Sequence, residues 1–175
     1  MQNNFLKNKK IILSAGASGI GLATVKLLLS QGAFVYTCDI DKKNINKLKK
    51  NSYFNKKLFI SECDASKEDE VKKFYKEISY KTKKIDGLIN NIGIAGPTSP
   101  LEKIKSDDWE KTIHVNVNSH FYFTKYAIPM IKKSKNGSII NISSTAGIDG
   151  FPNRSPYAAS KWALAVSYTH LRAHE

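Results

Sequence analysis

Short apolar runs, each followed by a stretch with helical spacing, set the strongest limit on what this chain can become. The runs predict strands over residues 11–14, 34–38, 58–61, 87–90 and 138–143. Between the first two, Ile20, Ala23, Leu27 and Leu28 recur at the spacing of one helix face. Ser66 followed by Asp69 predicts a capping box opening a helix over 67–80, and Ser106 precedes one long helix from Asp107 to about Lys133. Strict alternation of strand and helix builds a parallel sheet with right-handed crossovers, so the expected class is α/β, a Rossmann-like doubly wound sheet. Ligands of such sheets bind beyond the carboxyl ends of the strands, and Ser14, Asp39, Asp64, Asn90 and Ser144 all fall there.

The residues at those ends carry a consistent chemistry. Gly16, Gly19 and Gly21 sit where the first strand turns into its helix, so the backbone can approach a pyrophosphate that faces the helix N-terminus. The second strand ends at Asp39, near the spacing of an acid that accepts hydrogen bonds from ribose hydroxyls and repels a 2′-phosphate. No lysine or arginine stands at Ser18 or Ile40 to clamp such a phosphate, so the expected cofactor is NAD rather than NADP. Further on, Tyr157 and Lys161 lie four apart, on one helix face. A phenol beside a fixed ammonium ionises more easily, as acid–base work on an alcohol or ketone requires, and Ser144 supplies a hydrogen bond to the substrate oxygen. Singly, Ser144 reads as a loop hydroxyl, Tyr157 as a half-buried helix residue and Asn116 as a capping side chain. Jointly, downstream of the glycine turn, they describe hydride transfer.

These motifs follow one another in a familiar order: Ser14-Ala15-Gly16-Ala17-Ser18-Gly19-Ile20-Gly21, Cys63-Asp64-Ala65-Ser66, Asn90-Asn91-Ile92-Gly93, His114-Val115-Asn116-Val117, then Ser144, Tyr157 and Lys161. From about Asn8 to Ala165 the chain resembles the short-chain dehydrogenase/reductase family. The resemblance implies a phosphate turn formed by Ser14, Gly16, Ser18, Gly19, Ile20 and Gly21, with Asp39 and Ile40 at the ribose and Asp64 at the adenine. It also implies cofactor contacts from Asn90, Asn91 and Gly93, and a water relay to the lysine held by Asn116. Catalytic roles follow for Ser144, Tyr157 and Lys161, the last two touching the cofactor as well. Two positions depart from the family pattern: Ala15 stands where it commonly has its first glycine, and Ile92 replaces an alanine. The implied substrate is a small alcohol or carbonyl compound, and the helices bearing Asn116 and Tyr157 imply a homodimer or homotetramer of the full-length protein. A non-catalytic dinucleotide sensor or scaffold of the same fold is the alternative; an intact Ser144, Tyr157 and Lys161 set favours the enzyme.

Composition narrows the partners. At 175 residues and 41% hydrophobic content the chain makes one domain, assigned to residues 1–165. The formal charge of +13 comes from lysines clustered ahead of the strands, where they read as a solvated rim beside helix C-termini. Among 28 basic residues only Arg154 and Arg172 are arginines, which argues against phosphate or base recognition on a nucleic acid. Cys38 and Cys63 read as small core residues, and His114 and His120 lack partners at metal spacing, so neither disulfide nor metal is expected. Trp109, Phe121, Tyr122, Phe123 and Tyr126 read as core or subunit contact. No signal peptide or long apolar run is seen, and the expected location is cytoplasmic, off the membrane. The last stretch, Val166 to Glu175, changes composition abruptly, holds two of the four histidines and resembles one reading frame of a transposase adaptor used to prepare sequencing libraries. It is therefore expected to be a non-native tail on an N-terminal fragment, truncated before the last strands and itself inactive.

Overall fold

The computed structural model describes residues 4–50 and 56–172. They fall into two compact units, one made of the chain up to residue 91 with residues 122–140, the other of residues 92–121 with everything from 141 onward.

The first unit is built on the sheet. Its strands are β1 (Lys10–Ser14), β2 (Phe34–Asp39), β3 (Leu58–Glu62), β4 (Gly87–Asn90) and β5 (Ser138–Asn141), in the order β3-β2-β1-β4-β5. β1 pairs in parallel with both β2 and β4, and β2 with β3. The register sets Ser14 beside Cys38 and Asp39 beside Glu62, so the carboxyl ends of β1, β2 and β3 come level. The helices are α1 (Gly19–Ser30), α2 (Lys42–Lys49) and α3 (Glu68–Lys81), together with most of α5 (Ser119–Ile131). β1 is covered on both faces, which is why its sequence is nearly continuously apolar rather than alternating. Ile11, Leu13, Val25, Leu28, Ala33 and Val35 form one core cluster, and Ala17, Ile45, Leu48 and Ile60 another. Phe74 and Tyr75 of α3 pack on Phe123 of α5, and the Tyr75 hydroxyl donates to the Phe123 carbonyl at 2.8 Å. Burying each such ring contributes about 1.5–3 kcal/mol.

In the second unit the elements are α4 (Ser106–Ile113), a π turn (His114–Asn118), the first residues of α5, a 3₁₀ turn (Thr145–Gly147) and α6 (Ser155–Arg172). α6 packs against α4, the π turn and the 3₁₀ turn. A Cβ on Gly147 would come within 2.9 Å of the Lys161 carbonyl oxygen, so the absent side chain is what allows that approach.

Several expectations need correction. Lys67, not Ser66, precedes α3, and no side chain caps it; the Ser66 hydroxyl is spent donating to Asp64 Oδ1 at 2.7 Å, and Glu70 rather than Asp69 reaches back, to the Asp64 amide. The long helix is not uniform. Ser106 is its first residue rather than its cap, and the π turn separates α4 from α5. The fifth strand stops at Asn141, because the Ile142 carbonyl accepts from Lys161 Nζ instead of continuing a strand. The aromatic stripe, read as core or subunit contact, needs no such change: Phe123 is fully buried and Phe121 is 59% exposed. The expected tail is not among these corrections: the change of composition at Val166 falls inside α6, which runs to Arg172, and residues 173–175 lie outside the described residues.

Ala15 has φ of +57°, inside the left-handed region that costs a residue with a Cβ about 1–2 kcal/mol. Ala15→Gly is therefore expected to stabilise the chain by up to about 1 kcal/mol, after allowing for the extra freedom of glycine when unfolded. Urea unfolding of the two forms checks this, and a midpoint that falls would contradict the strain.

Candidate active site

The glycine turn owes its shape to what surrounds it. A Cβ on Gly16 would lie 2.1 Å from Thr37 Oγ1, and one on Gly21 would lie 1.9 Å from the Ala15 carbonyl oxygen. Both positions are closed to side chains by close approach. Gly19 differs: its φ is +50° and nothing stands within 4 Å of where its Cβ would be. The space over Gly19 is thus open, at the start of α1. Ser18 makes no side-chain bond to the helix and the first turn holds no acid, so the leading amides of α1 remain available to an anion. A diphosphate group fits this cradle in charge and in room.

The turn is pinned from behind. Asn91 Nδ2 donates to the carbonyls of Ser14 and Ala15 at 3.2 and 3.1 Å, and the Asn91 amide donates to Ser14 Oγ at 3.0 Å. The Gly16 amide donates to the Cys38 carbonyl. Ser14 is fully buried, its hydroxyl engaged with β4, so its side chain braces the turn rather than facing a ligand. Asn90 is likewise buried, its amide donating to Thr124 Oγ1 at 3.1 Å.

Asp39 ends β2 beside this turn. Its Oδ2 accepts from the Ala17 amide at 2.9 Å and its Oδ1 from the Asp41 amide at 3.1 Å, which fixes the carboxylate with Ile40 exposed next to it. Asp64 lies just past β3. Its partial burial raises the carboxyl pKa, but the Ser66 hydroxyl and amide together with Lys67 outweigh that and hold it below the ordinary carboxylate range. Cys38 and Cys63, each next to one of these aspartates, are buried free thiols; the hydrogen bond with Cys63, and then burial, raise the Cys38 pKa well above its ordinary value. Buried thiols of this kind are unreactive packing groups.

The second unit holds Gly93, Asn116, Ser144, Tyr157 and Lys161. Ser144 Oγ accepts from the Ala146 amide at 3.2 Å and so opens the 3₁₀ turn that packs on α6. Lys161 is only 4% exposed; its Nζ donates to the Ile142 carbonyl at 2.9 Å and stands 5.7 Å from the Tyr157 ring centre. Burial lowers the Lys161 pKa. A Cβ on Gly93 would lie 3.4 Å from that Nζ, so Gly93 keeps the ammonium's surroundings open. The Arg154 guanidinium stands 5.9 Å from the same tyrosine ring and donates to the Ala95 carbonyl.

Asn116 lies fully buried in the π turn, a helix form that recurs at functional sites. Its side chain is not directed at the lysine: Nδ2 donates to the Ile94 carbonyl and to Ser160 Oγ, both at 2.9 Å, and Oδ1 accepts from the Ile94 amide at 2.7 Å. Ser160 and Ile94 were missed in the sequence. The signal for Ser160 was a serine inside a helix, where its hydroxyl competes for backbone groups. Among the described residues no group of three or more His, Cys, Asp or Glu could hold a metal, and no helix is long and apolar enough to cross a membrane.

The profile of the short chain dehydrogenase family matches residues 9–175. The chain is 36% identical over 179 residues to 3-oxoacyl-(acyl-carrier-protein) reductase FabG of Thermotoga maritima, covering 97% of this chain and 72% of that protein. A short-chain dehydrogenase from Brucella melitensis superposes with a TM-score of 0.90 at 25% identity, over 99% of this chain and 72% of its own. A Shigella flexneri short chain dehydrogenase complexed with NADP gives 0.87 at 24% identity, over 94% and 70%, a likeness of fold. The chain belongs to the short-chain dehydrogenase/reductase family of nicotinamide-dinucleotide-dependent oxidoreductases.

Proposed function

We propose that the protein is an NAD-linked oxidoreductase acting on a hydroxyl or carbonyl group of a small molecule. The observation that carries this reading is Lys161, a buried ammonium held by the Ile142 carbonyl beside the Tyr157 ring. A buried charge is costly to keep, and one placed at a phenol serves a proton donor better than it serves packing. In the reduction direction Tyr157 gives its phenolic proton to the carbonyl oxygen, Ser144 donates a hydrogen bond to that oxygen, and Lys161 holds the phenol's charge and the nicotinamide ribose. A nicotinamide dinucleotide, when held there, would supply or accept the hydride. Gly19, Ile20, Gly21 and Ser18 receive its diphosphate, Asp39 its ribose and Asp64 its adenine. The reading is tested by NADH-dependent reduction of small carbonyl compounds by the full-length protein, wild type against Tyr157→Phe.

The preference for NAD rests on Asp39, whose fixed carboxylate accepts from ribose hydroxyls and repels a 2′-phosphate, with uncharged Ile40 beside it. Asp39→Ser with Ile40→Arg is expected to shift the NAD/NADP ratio of kcat/KM toward NADP by about 100-fold or more, since a lost repulsion and a gained bidentate partner act together. An unchanged ratio would defeat the assignment. The proposed full-length assembly is a homo-oligomer, supported by Trp109, Phe121 and Trp162, which leave apolar surface exposed on helices of the second unit.

A further inference from the structure

We propose that Ser160 is a positioning residue for the hydride-transfer reaction, tying the Tyr157–Lys161 turn of α6 to Asn116; the proposal rests on the reading of that reaction given above. Ser160 Oγ donates to the Tyr157 carbonyl at 2.6 Å and accepts from Asn116 Nδ2 at 2.9 Å. The second Nδ2 hydrogen goes to the Ile94 carbonyl, and Oδ1 accepts from the Ile94 amide. The result is a closed polar chain running from the Ile94 backbone through Asn116 and Ser160 to the backbone of Tyr157. Both Ser160 and Asn116 are 0% exposed, so no bulk water replaces a missing link.

The serine has no other evident purpose at this place. Alanine is the better helix former, and a hydroxyl bonding back to a carbonyl three residues earlier slightly weakens a helix. Lys161, the next residue, is fixed independently: its Nζ by the Ile142 carbonyl and its own carbonyl by Ser143 Oγ at 3.3 Å. Ser160 supplies the corresponding restraint on the Tyr157 side of the turn. Ser160→Ala leaves a buried Asn116 N–H without its acceptor and frees the Tyr157 carbonyl from its side-chain donor, so the phenol loses its set position while the lysine keeps its anchor.

The test uses the full-length protein with NADH and 2,3-butanedione as the probe pair. Ser160→Ala is expected to lower kcat by about tenfold or more, with KM for NADH changed less than about twofold, because misplacing a proton donor acts on chemistry and not on dinucleotide binding. The solvent deuterium isotope effect on kcat should rise as proton transfer becomes slower. Ser160→Thr, which keeps the hydroxyl, should recover much of the loss; if its methyl prevents folding, Ser160→Cys, close in size but a weak donor, should fall between serine and alanine. Asn116→Ala with Ser160→Ala should be no worse than Asn116→Ala alone, since both cut one chain. A residue that merely supports folding would lower the melting midpoint and the active fraction and leave the isotope effect unchanged. That result, or wild-type kcat in Ser160→Ala while Tyr157→Phe is inactive, overturns the proposal and spares the reading of the reaction. Turnover surviving in Tyr157→Phe would overturn both.

Discussion

Replacing Tyr157 by phenylalanine in the full-length protein is expected to cut turnover by about 1,000-fold while NADH affinity changes less than about twofold. The substitution removes one oxygen and keeps the ring, so packing on α6 and the Lys161 position 5.7 Å away are preserved. What disappears is the group that exchanges a proton with the substrate oxygen. Neither water nor Ser144 replaces it well, since both are much weaker acids than a phenol beside an ammonium. Dinucleotide binding is assigned mainly to Gly19, Asp39 and Asp64, none of which the change touches. Steady-state kinetics alongside NADH fluorescence titration separates the two effects. Retention of a tenth of wild-type turnover would remove Tyr157 from the proton-transfer role.

Gly21→Ala is expected to be the most damaging single methyl in the chain. Its Cβ would sit 1.9 Å from the Ala15 carbonyl oxygen and 2.8 Å from Asn91 Nδ2, the group that pins that same carbonyl. The first obstacle is backbone, so α1 must move away from β1 or the turn must open. Overpacking of this kind costs about 3 kcal/mol or more where nothing flexible can yield. NADH binding should weaken at least about tenfold as the leading amides of α1 leave their positions. Gly19→Ala is the informative comparison. Nothing occupies its Cβ site, so urea unfolding should register only the cost of a left-handed alanine, about 1–2 kcal/mol, while NADH titration should show a blocked cradle. Equal unfolding midpoints for wild type and Gly21→Ala would show that the close approach is not real.

The sheet was legible in the sequence because each strand is a run of apolar residues whose ends are marked by small or acidic ones. Asp39 and Asn90 close their strands where the carboxyl-end rule places them. The glycine turn was legible as a motif, but the positive φ at Ala15 was not, since nothing in the neighbouring residues excludes a helical or extended alanine there. The failed capping box has a specific cause. Ser66 has the right type and spacing, yet Asp64 competes for its hydroxyl at two residues' distance, and only the folded turn decides between them. Ser14 and Asn91 were read as ligand contacts, and their side chains also bear on the turn from within the protein; a motif identifies residues that matter without saying how each of their groups acts. Ser160 was hidden inside a recognised stretch, because Asn116, which donates to it, and Ile94, which Asn116 holds in turn, lie 44 and 66 positions earlier and no local pattern links them.

The π turn at His114–Asn118 has a consequence for how related chains are compared. A π turn holds roughly one residue more than the α-helical path it interrupts, so α4 and α5 are offset from each other by about 100° of rotation relative to an ideal continuous helix. Deleting a single residue there would not simply shorten the chain. It would restore regular winding, and because the lost residue and the lost offset cancel, the residues of α5 would keep their faces while Asn116 lost the wide turn that sets it against Ile94 and Ser160. Phe123 would stay buried and Phe121 exposed. A one-residue gap at this point in an aligned sequence therefore keeps the phase of α5 and marks a chain without the wide turn that carries Asn116.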